Sequence, residues 1–246
     1  SAKGSVCFLQ KKGVQVDLLP VSKSGQLDLA QFEARLKEFK PQLVSIMTAN
    51  NETGVLFPIP EIAALCRAAG VPFHTDAGQA LGKVPPSYFN CADMFSISSH
   101  KIYGPKGAGA LVVKSGRKLL PTNFGGSQEL KRRGGTQGMV SIAGFAGACA
   151  VLNLDKLEEL KTKRDLFETL LRTKLDGVTL QGSETGRTPN CSNIRFQGIA
   201  ADTLLTALDL DGVCISGGSA CSSGSPTPSH VLLQMGLTPE QANECV

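Results

Sequence analysis

Tryptophan is missing from the 246 residues, and only two tyrosines and eleven phenylalanines supply the aromatic content. With a net charge of +4 and no basic run, so few aromatics argue against a nucleic-acid partner. Long apolar runs are missing too, so no segment is suited to cross a membrane as a helix. Residue 1 opens no signal peptide, and the expectation is a soluble protein. Eight cysteines stand at positions 7, 66, 91, 149, 191, 214, 221 and 245, with no CxxC pair among them. That spacing speaks against a zinc or iron centre and against a disulfide framework, so no metal is expected. Most of these cysteines are expected to be small buried hydrophobes in a reducing compartment.

What the chain does have is a rhythm. "QLVSIM" at 42–47 predicts a buried strand and "PIPEIAALCRAAG" at 58–70 a helix closed by Gly70. "VPFHTDA" at 71–77, "DMFSISS" at 93–99 and "GALVVK" at 109–114 predict three more strands. Strand, helix, strand means a mostly parallel sheet covered by helices, an α/β domain with its functional residues at strand ends. From about residue 151 the pattern changes. "LDKLEELKTKRDLFETLLRTKLDG" predicts a long amphipathic helix ended by Gly177. Short strands at "VTLQG" and "NIRFQG" follow, then a helix near "ADTLLTALDLDG" and a strand at "VCIS". The division expected is a large α/β domain over 1–150 and a smaller α+β domain over 151–246. "TPEQANECV" starts like a helix, with Thr238 as cap, Pro239 in the first turn and Gln241 able to complete a capping box. The chain stops about two turns later, so an N- and C-terminally truncated piece of a longer protein is expected.

Residues 96–109, "SISSHKIYGPKGAG", gather two lysines, a histidine and three glycines. The order matches neither GxxxxGK[ST] nor GxGxxG, and the strand-like "ALVVK" follows where a nucleotide loop needs a helix. A covalent lysine fits better. Lys101 follows a strand end that supplies Ser98, Ser99 and His100, donors able to hold a phosphate while the amine bonds to the aldehyde of pyridoxal phosphate. Asp76, ending "FHTD", is a carboxylate able to keep a pyridine nitrogen protonated. The plain alternative is that Asp76 caps the next helix and Lys101 is a surface residue.

"FHTDAGQALGK", "SISSHKIYGPKGAGAL" and "GGSACSSGSPTPSHVL", with "ANNETG" at 49–54 and "FGGSQELKRRGGT" at 124–136, together resemble the cysteine desulfurases. These form a class V aminotransferase-like branch of the fold-type I pyridoxal-phosphate transferases, and the motifs run in family order over essentially the whole chain. The resemblance implies pyridoxal 5'-phosphate as cofactor and L-cysteine as substrate. It makes Lys101 the Schiff-base lysine and proton carrier, and pairs Asp76 with the pyridine nitrogen. Gln79 would bond the phenolic oxygen, Asn51 would help bind the substrate carboxylate, and Ser98 and His100 would hold the phosphate. Arg133 and Thr136 match a loop whose threonine reaches the partner subunit's phosphate, which implies a homodimer. Cys221 would be the acceptor thiol, leaving a persulfide and alanine, then passing sulfur to an acceptor such as an iron–sulfur scaffold or a tRNA-thiolation protein. Glycines and serines around Cys221 suit a carrier loop.

Lys106 reads as a turn residue, His74 as a strand residue on the face of Asp76, His230 as the start of a short helix and Arg187 as structural. The resemblance places a phosphate-binding threonine loop and a ring-stacking histidine upstream of residue 1, and a carboxylate-binding arginine beyond Val246. Phe124 and Ser127 stand where glycine or histidine is usual, and Gly138 where asparagine is common. If the 246 residues are all there is, weak cofactor retention and little turnover are expected. A selenocysteine lyase shares the scaffold, and a non-catalytic binding remnant is a reading of another class. The compartment expected is cytoplasmic, or an organelle if a targeting segment precedes residue 1.

Overall fold

In the computed structural model, which describes residues 2–217 and 228–246, the predicted strands form a four-stranded sheet in the order β1-β2-β3-β4. Strands β1 (Val44–Met47), β2 (Phe73–Asp76) and β3 (Met94–Ser98) run parallel, and β4 (Gly109–Val113) pairs antiparallel to β3. Helix α1 (Ala2–Lys11) precedes the sheet. Helix α2 (Leu29–Phe39) begins at Asp28, whose carboxylate accepts from the Ala30 and Gln31 amides.

Between β1 and β2 lies α3 (Ile59–Ala68). Its Ile59, Ile62, Ala63 and Cys66 recur at helical spacing and are buried against Phe32, Leu36, Val44 and Phe73. One face of the sheet is thereby closed. A second apolar cluster, Ala77, Ala80, Val84 and Phe89, seats the turn that follows β2, with Phe89 edge-on to Phe95 at 5.3 Å.

A left-handed turn, α4 (Gln128–Lys131), precedes α5 (Met139–Ala150). Helix α5 is apolar nearly all round, yet only Phe145 is buried; Met139 and Val140 stand 66% and 89% exposed. Helix α6 (Leu157–Lys174) is the predicted long helix, and its backbone turns extended at Leu175, two residues before Gly177. Strands β5 (Val178–Leu180) and β6 (Ile194–Phe196) form an antiparallel pair, followed by α7 (Ala201–Leu210), α8 (His230–Gln234) and α9 (Pro239–Ala242). Helix α9 carries the expected capping box between Thr238 and Gln241. The strand predicted at "VCIS" is not formed: residues 213–216 find no pairing strand among the described residues, and Val213 is half exposed. Strand composition does not make a strand without a ladder partner, although Ile215 is half-buried.

The two parts of the chain are stitched together by backbone. Leu56 donates to Gly186 and Thr188 donates to Gly54, both at 2.8 Å, and Val55 bridges Arg187. Arg187 is buried and meets Glu168 of α6 in a two-pronged ion pair at 2.9 and 2.8 Å. Arg164, one turn earlier, donates to the Thr188 carbonyl at 2.6 Å. The structural reading of Arg187 is thereby given its geometry. Removing one member of a dry, bidentate pair strands the other charge. Arg187→Met is expected to lower the unfolding free energy by about 3 kcal/mol, read from urea denaturation, with Glu168→Leu added recovering most of it. A single variant as stable as the parent would show that the pair contributes nothing.

Candidate active site

The parallel register aligns Met47 and Asp76, the last residues of β1 and β2, with Ser96, two residues before the end of β3. Side chains alternate along each strand, so Phe73 and Thr75 turn to the core while His74, Asp76, Ser96 and Ser98 share the opposite face. On that face Ser45 bonds the His74 ring at 2.9 Å. Asp76 Oδ1 accepts from the Gly78 amide at 3.0 Å, so part of the capping role foreseen as the plain alternative is real.

Past Ser98 the chain enters a 3-10 turn, Ser99–Ile102. Ser99 and Ile102 are buried, His100 is exposed and Lys101 is half-buried between them. The Ser98 hydroxyl makes no capping bond, and the buried Ser99 hydroxyl lacks a partner among the described residues. Tyr103 then takes a left-handed φ of 64°, turning the chain toward β4. Lys106 lies exposed in that connection, as its turn reading had it.

Gln79 and Lys83 sit on the turn after β2, and the Lys83 amine donates to Gln79 Oε1 at 2.6 Å. Burial pushes the Lys83 amine below its usual range, the charge of Lys101 pushes it further, and Cys191 partly opposes both. Lys83 and Lys101 are therefore electrostatic neighbours beside the strand ends.

The segment after β1 holds Asn51. Its neighbour Asn50 is buried and accepts from the Glu52 and Thr53 amides at 2.8 and 3.0 Å, leaving Asn51 exposed at the tip. Glu52 is buried; one carboxylate oxygen accepts a short hydrogen bond from the Ser229 hydroxyl, and its carbonyl accepts from the Cys191 thiol at 3.2 Å. Ser229 also caps α8, accepting from Val231 and Leu232. Gly54, at φ 72°, leaves room for this approach, since a Cβ there would lie 2.8 Å from that of Cys191. Cys221 lies outside the described residues. Ser229, eight positions later, is thus fixed beside the Asn51 turn.

Arg133 and Thr136 are exposed in the 132–138 connection before α5 and on none of the strand ends. The cysteines divide more evenly than expected: Cys66 and Cys245 are buried, Cys91 and Cys191 are half-buried, and Cys7, Cys149 and Cys214 are exposed among the described residues. Burial pushes the Cys66 thiol up to about 11 and that of Cys245 up to about 12, which keeps both inert. Among the described residues no group of three His, Cys, Asp or Glu side chains could hold a metal ion.

As a donor set, the strand-end residues fit pyridoxal phosphate. They offer an amine (Lys101), hydroxyl and imidazole donors (Ser98, His100), a carboxylate (Asp76) and an amide (Gln79), and the Ser98 hydroxyl is not used to cap its own turn. Residues 6–240 match the profile of the aminotransferase class-V family. The chain belongs to that family. Among class-V relatives, a cysteine desulfurase of a Nostoc species is 44% identical over 234 residues, covering 93% of this chain and 58% of that protein. The cysteine desulfurase IscS of Dictyoglomus turgidum is 40% identical, covering 96% and 61%. A solved NifS-like protein from Rickettsia africae superposes with a TM-score of 0.85 at 31% identity, covering 98% of this chain and 66% of that one. DndA from Streptomyces lividans gives 0.82 at 34%, covering 98% and 69%. The chain spans about three-fifths of the length of the curated relatives it matches.

Three residues beside the candidate site went unread in the sequence: Glu52, Lys83 and Cys191. The partners of Glu52 and Cys191 are remote in the chain, and Lys83 meets Gln79 through a turn that has no helical periodicity.

Burial holds the His74 imidazole below its ordinary value of 6.5, and the Asp76 charge partly offsets this. The unfolded chain therefore takes up a proton on His74 that the folded chain resists, and this loss of stability sets in as pH falls below 6.5. His74→Asn is expected to narrow the stability difference between about pH 7.5 and about pH 5.5, measured by urea denaturation. An unchanged difference would mean that His74 titrates alike in both states.

Proposed function

We propose that the protein is a pyridoxal-phosphate-dependent cysteine desulfurase that converts L-cysteine to L-alanine and loads the sulfur on Cys221. The observation that carries this reading is the placement of Asp76 and Ser98 on one face of neighbouring strand ends, with the half-buried Lys101 in the turn that follows. The cysteine desulfurase names of the relatives support it. In this reading residues 1–150 bind the cofactor and residues 151–246 carry the acceptor cysteine.

When bound, pyridoxal phosphate supplies an electron sink for bond breaking next to the substrate amine. Asp76 would accept a hydrogen bond from the ring nitrogen and keep it protonated. Gln79 would donate to the phenolic oxygen, and Ser98 and His100 would donate to the phosphate. Asn51, exposed at its turn, donates to the substrate carboxylate. Lys101 would be the covalent anchor, and its amine would move the proton at the substrate Cα. The Cys221 thiolate attacks the substrate sulfur. An S–S bond forms, the C–S bond breaks with its electron pair left on the substrate carbon, and that carbon takes a proton to become the methyl group of alanine. A cysteine substrate and a thiolate acceptor need no outside oxidant for this exchange.

The enzyme acts as a homodimer in which Thr136 reaches the partner's phosphate. The exposure of Thr136 beside Met139 and Val140 supports an interface there. It works in the cytoplasm and passes sulfur to an acceptor protein such as an iron–sulfur scaffold. No described helix is long and apolar enough to cross a membrane.

The test uses the full-length protein. Lys101→Ala is expected to lose the visible absorption band of the bound cofactor and to slow alanine release by about a thousandfold or more. Persistence of the band would remove Lys101 from its role. Cys221→Ala is expected to keep the band while losing the persulfide, read by mass spectrometry, and sulfide release from cysteine. Alanine production from selenocysteine that survives in Cys221→Ala, with negligible use of cysteine by the parent, would point to a selenocysteine lyase.

A further inference from the structure

Lys83 has no part in the scheme above, yet it sits within it. The residues after β2 form a turn, with Leu81 donating to Ala77 and Val84 to Ala80. Across this turn the Lys83 amine reaches Gln79 Oε1. At Gly82, φ 72°, a Cβ would lie 3.2 Å from Ile102 and 2.8 Å from Leu152. The left-handed φ suits glycine, and the turn it makes packs on Ile102 of the 3-10 turn that carries Lys101, with Lys83 in the field of Lys101.

A half-buried cation beside a second lysine is a costly arrangement. A methionine or leucine at 83 would fill the same space without that cost. What the ammonium adds is a one-way hydrogen bond. It has three donors and no acceptor, so it can bind only the oxygen end of the Gln79 amide. With Oε1 held at 2.6 Å by Lys83, the Gln79 NH2 is the end that Lys83 does not engage. A glutamine without such a partner can present either end, and the oxygen end would repel a phenolate.

We propose that Lys83 is a positioning residue, which locks the Gln79 amide so that its NH2 donates to the phenolic oxygen of the cofactor. This rests on the pyridoxal-phosphate reading of the site and gives that reading a second layer: the lock acts through Gln79, on one oxygen of the cofactor ring.

The experiment is titration of the apo full-length protein with pyridoxal 5'-phosphate. It records the dissociation constant and the position of the visible band for the parent, Lys83→Met, Lys83→Leu, Lys83→Arg, Gln79→Leu and Gln79→Leu/Lys83→Met. Losing one charge-assisted contact is expected to weaken binding by about tenfold in Lys83→Met and Lys83→Leu, with a shift of the band. Lys83→Arg, which keeps the donors, recovers most of both. In the Gln79→Leu background Lys83→Met should cost nothing further, because the amide it orients is gone. Melting of each apo variant identifies any that fail to fold, and the second apolar variant stands in if one does. Cofactor binding by both apolar variants at the parent's affinity, or losses that simply add in the double variant, would overturn the role of Lys83 and leave the cofactor reading standing. A parent that takes up no cofactor would overturn both.

Discussion

The parallel pairing of β2 between β1 and β3 is the constraint on which the rest of the site depends. Parallel strands bring their carboxyl ends to one edge, and a register of Met47 with Asp76 and Asp76 with Ser96 fixes which residues meet there. A slip of one residue would turn Asp76 and Ser98 into the core and bring Phe73 and Thr75 out. The hydrophobic stripe of α3 prevents that slip, because Phe73 and Val44 must stay beneath Ile62 and Cys66. Packing on one face of the sheet therefore sets the chemistry on the other.

A second set of contacts makes one unit of two differently patterned halves. The 54–56 and 186–188 backbones pair, and the Glu168–Arg187 bridge clamps that pairing to α6. Glu52 extends the same logic to the end of the chain, holding Ser229 and, through its carbonyl, Cys191. Buried charges of this kind contribute little net stability over apolar substitutes, but they tolerate few alternative geometries. They make the Asn51 turn, the start of α8 and the loop after β5 a single rigid neighbourhood.

Much of this was legible in the residues. Asp76 and Lys101 announce themselves because each follows a short apolar run and breaks it with a reactive group, which is where parallel strands end. The capping box at Thr238 and Gln241 and the stop near Gly177 follow from local backbone chemistry. The failures were of another kind. The "VCIS" run had strand composition but no neighbour to pair with, and strand propensity is mostly a statement about neighbours. Three of the seven described cysteines are exposed, because cysteine's preference for burial cannot say which helix face lacks a cover.

The sequence by itself determined the α/β rhythm, the strand ends that carry Asp76 and Lys101, and the family, since all three are written in contiguous motifs. The tertiary structure decided which of those residues stand together and what holds them. Glu52 reaches Ser229 across 177 positions, and Lys83 feels the charge of Lys101 across two turns that pack at Gly82 and Ile102. Such contacts leave no periodic trace, because their geometry is set by how the elements pack and not by spacing along the chain.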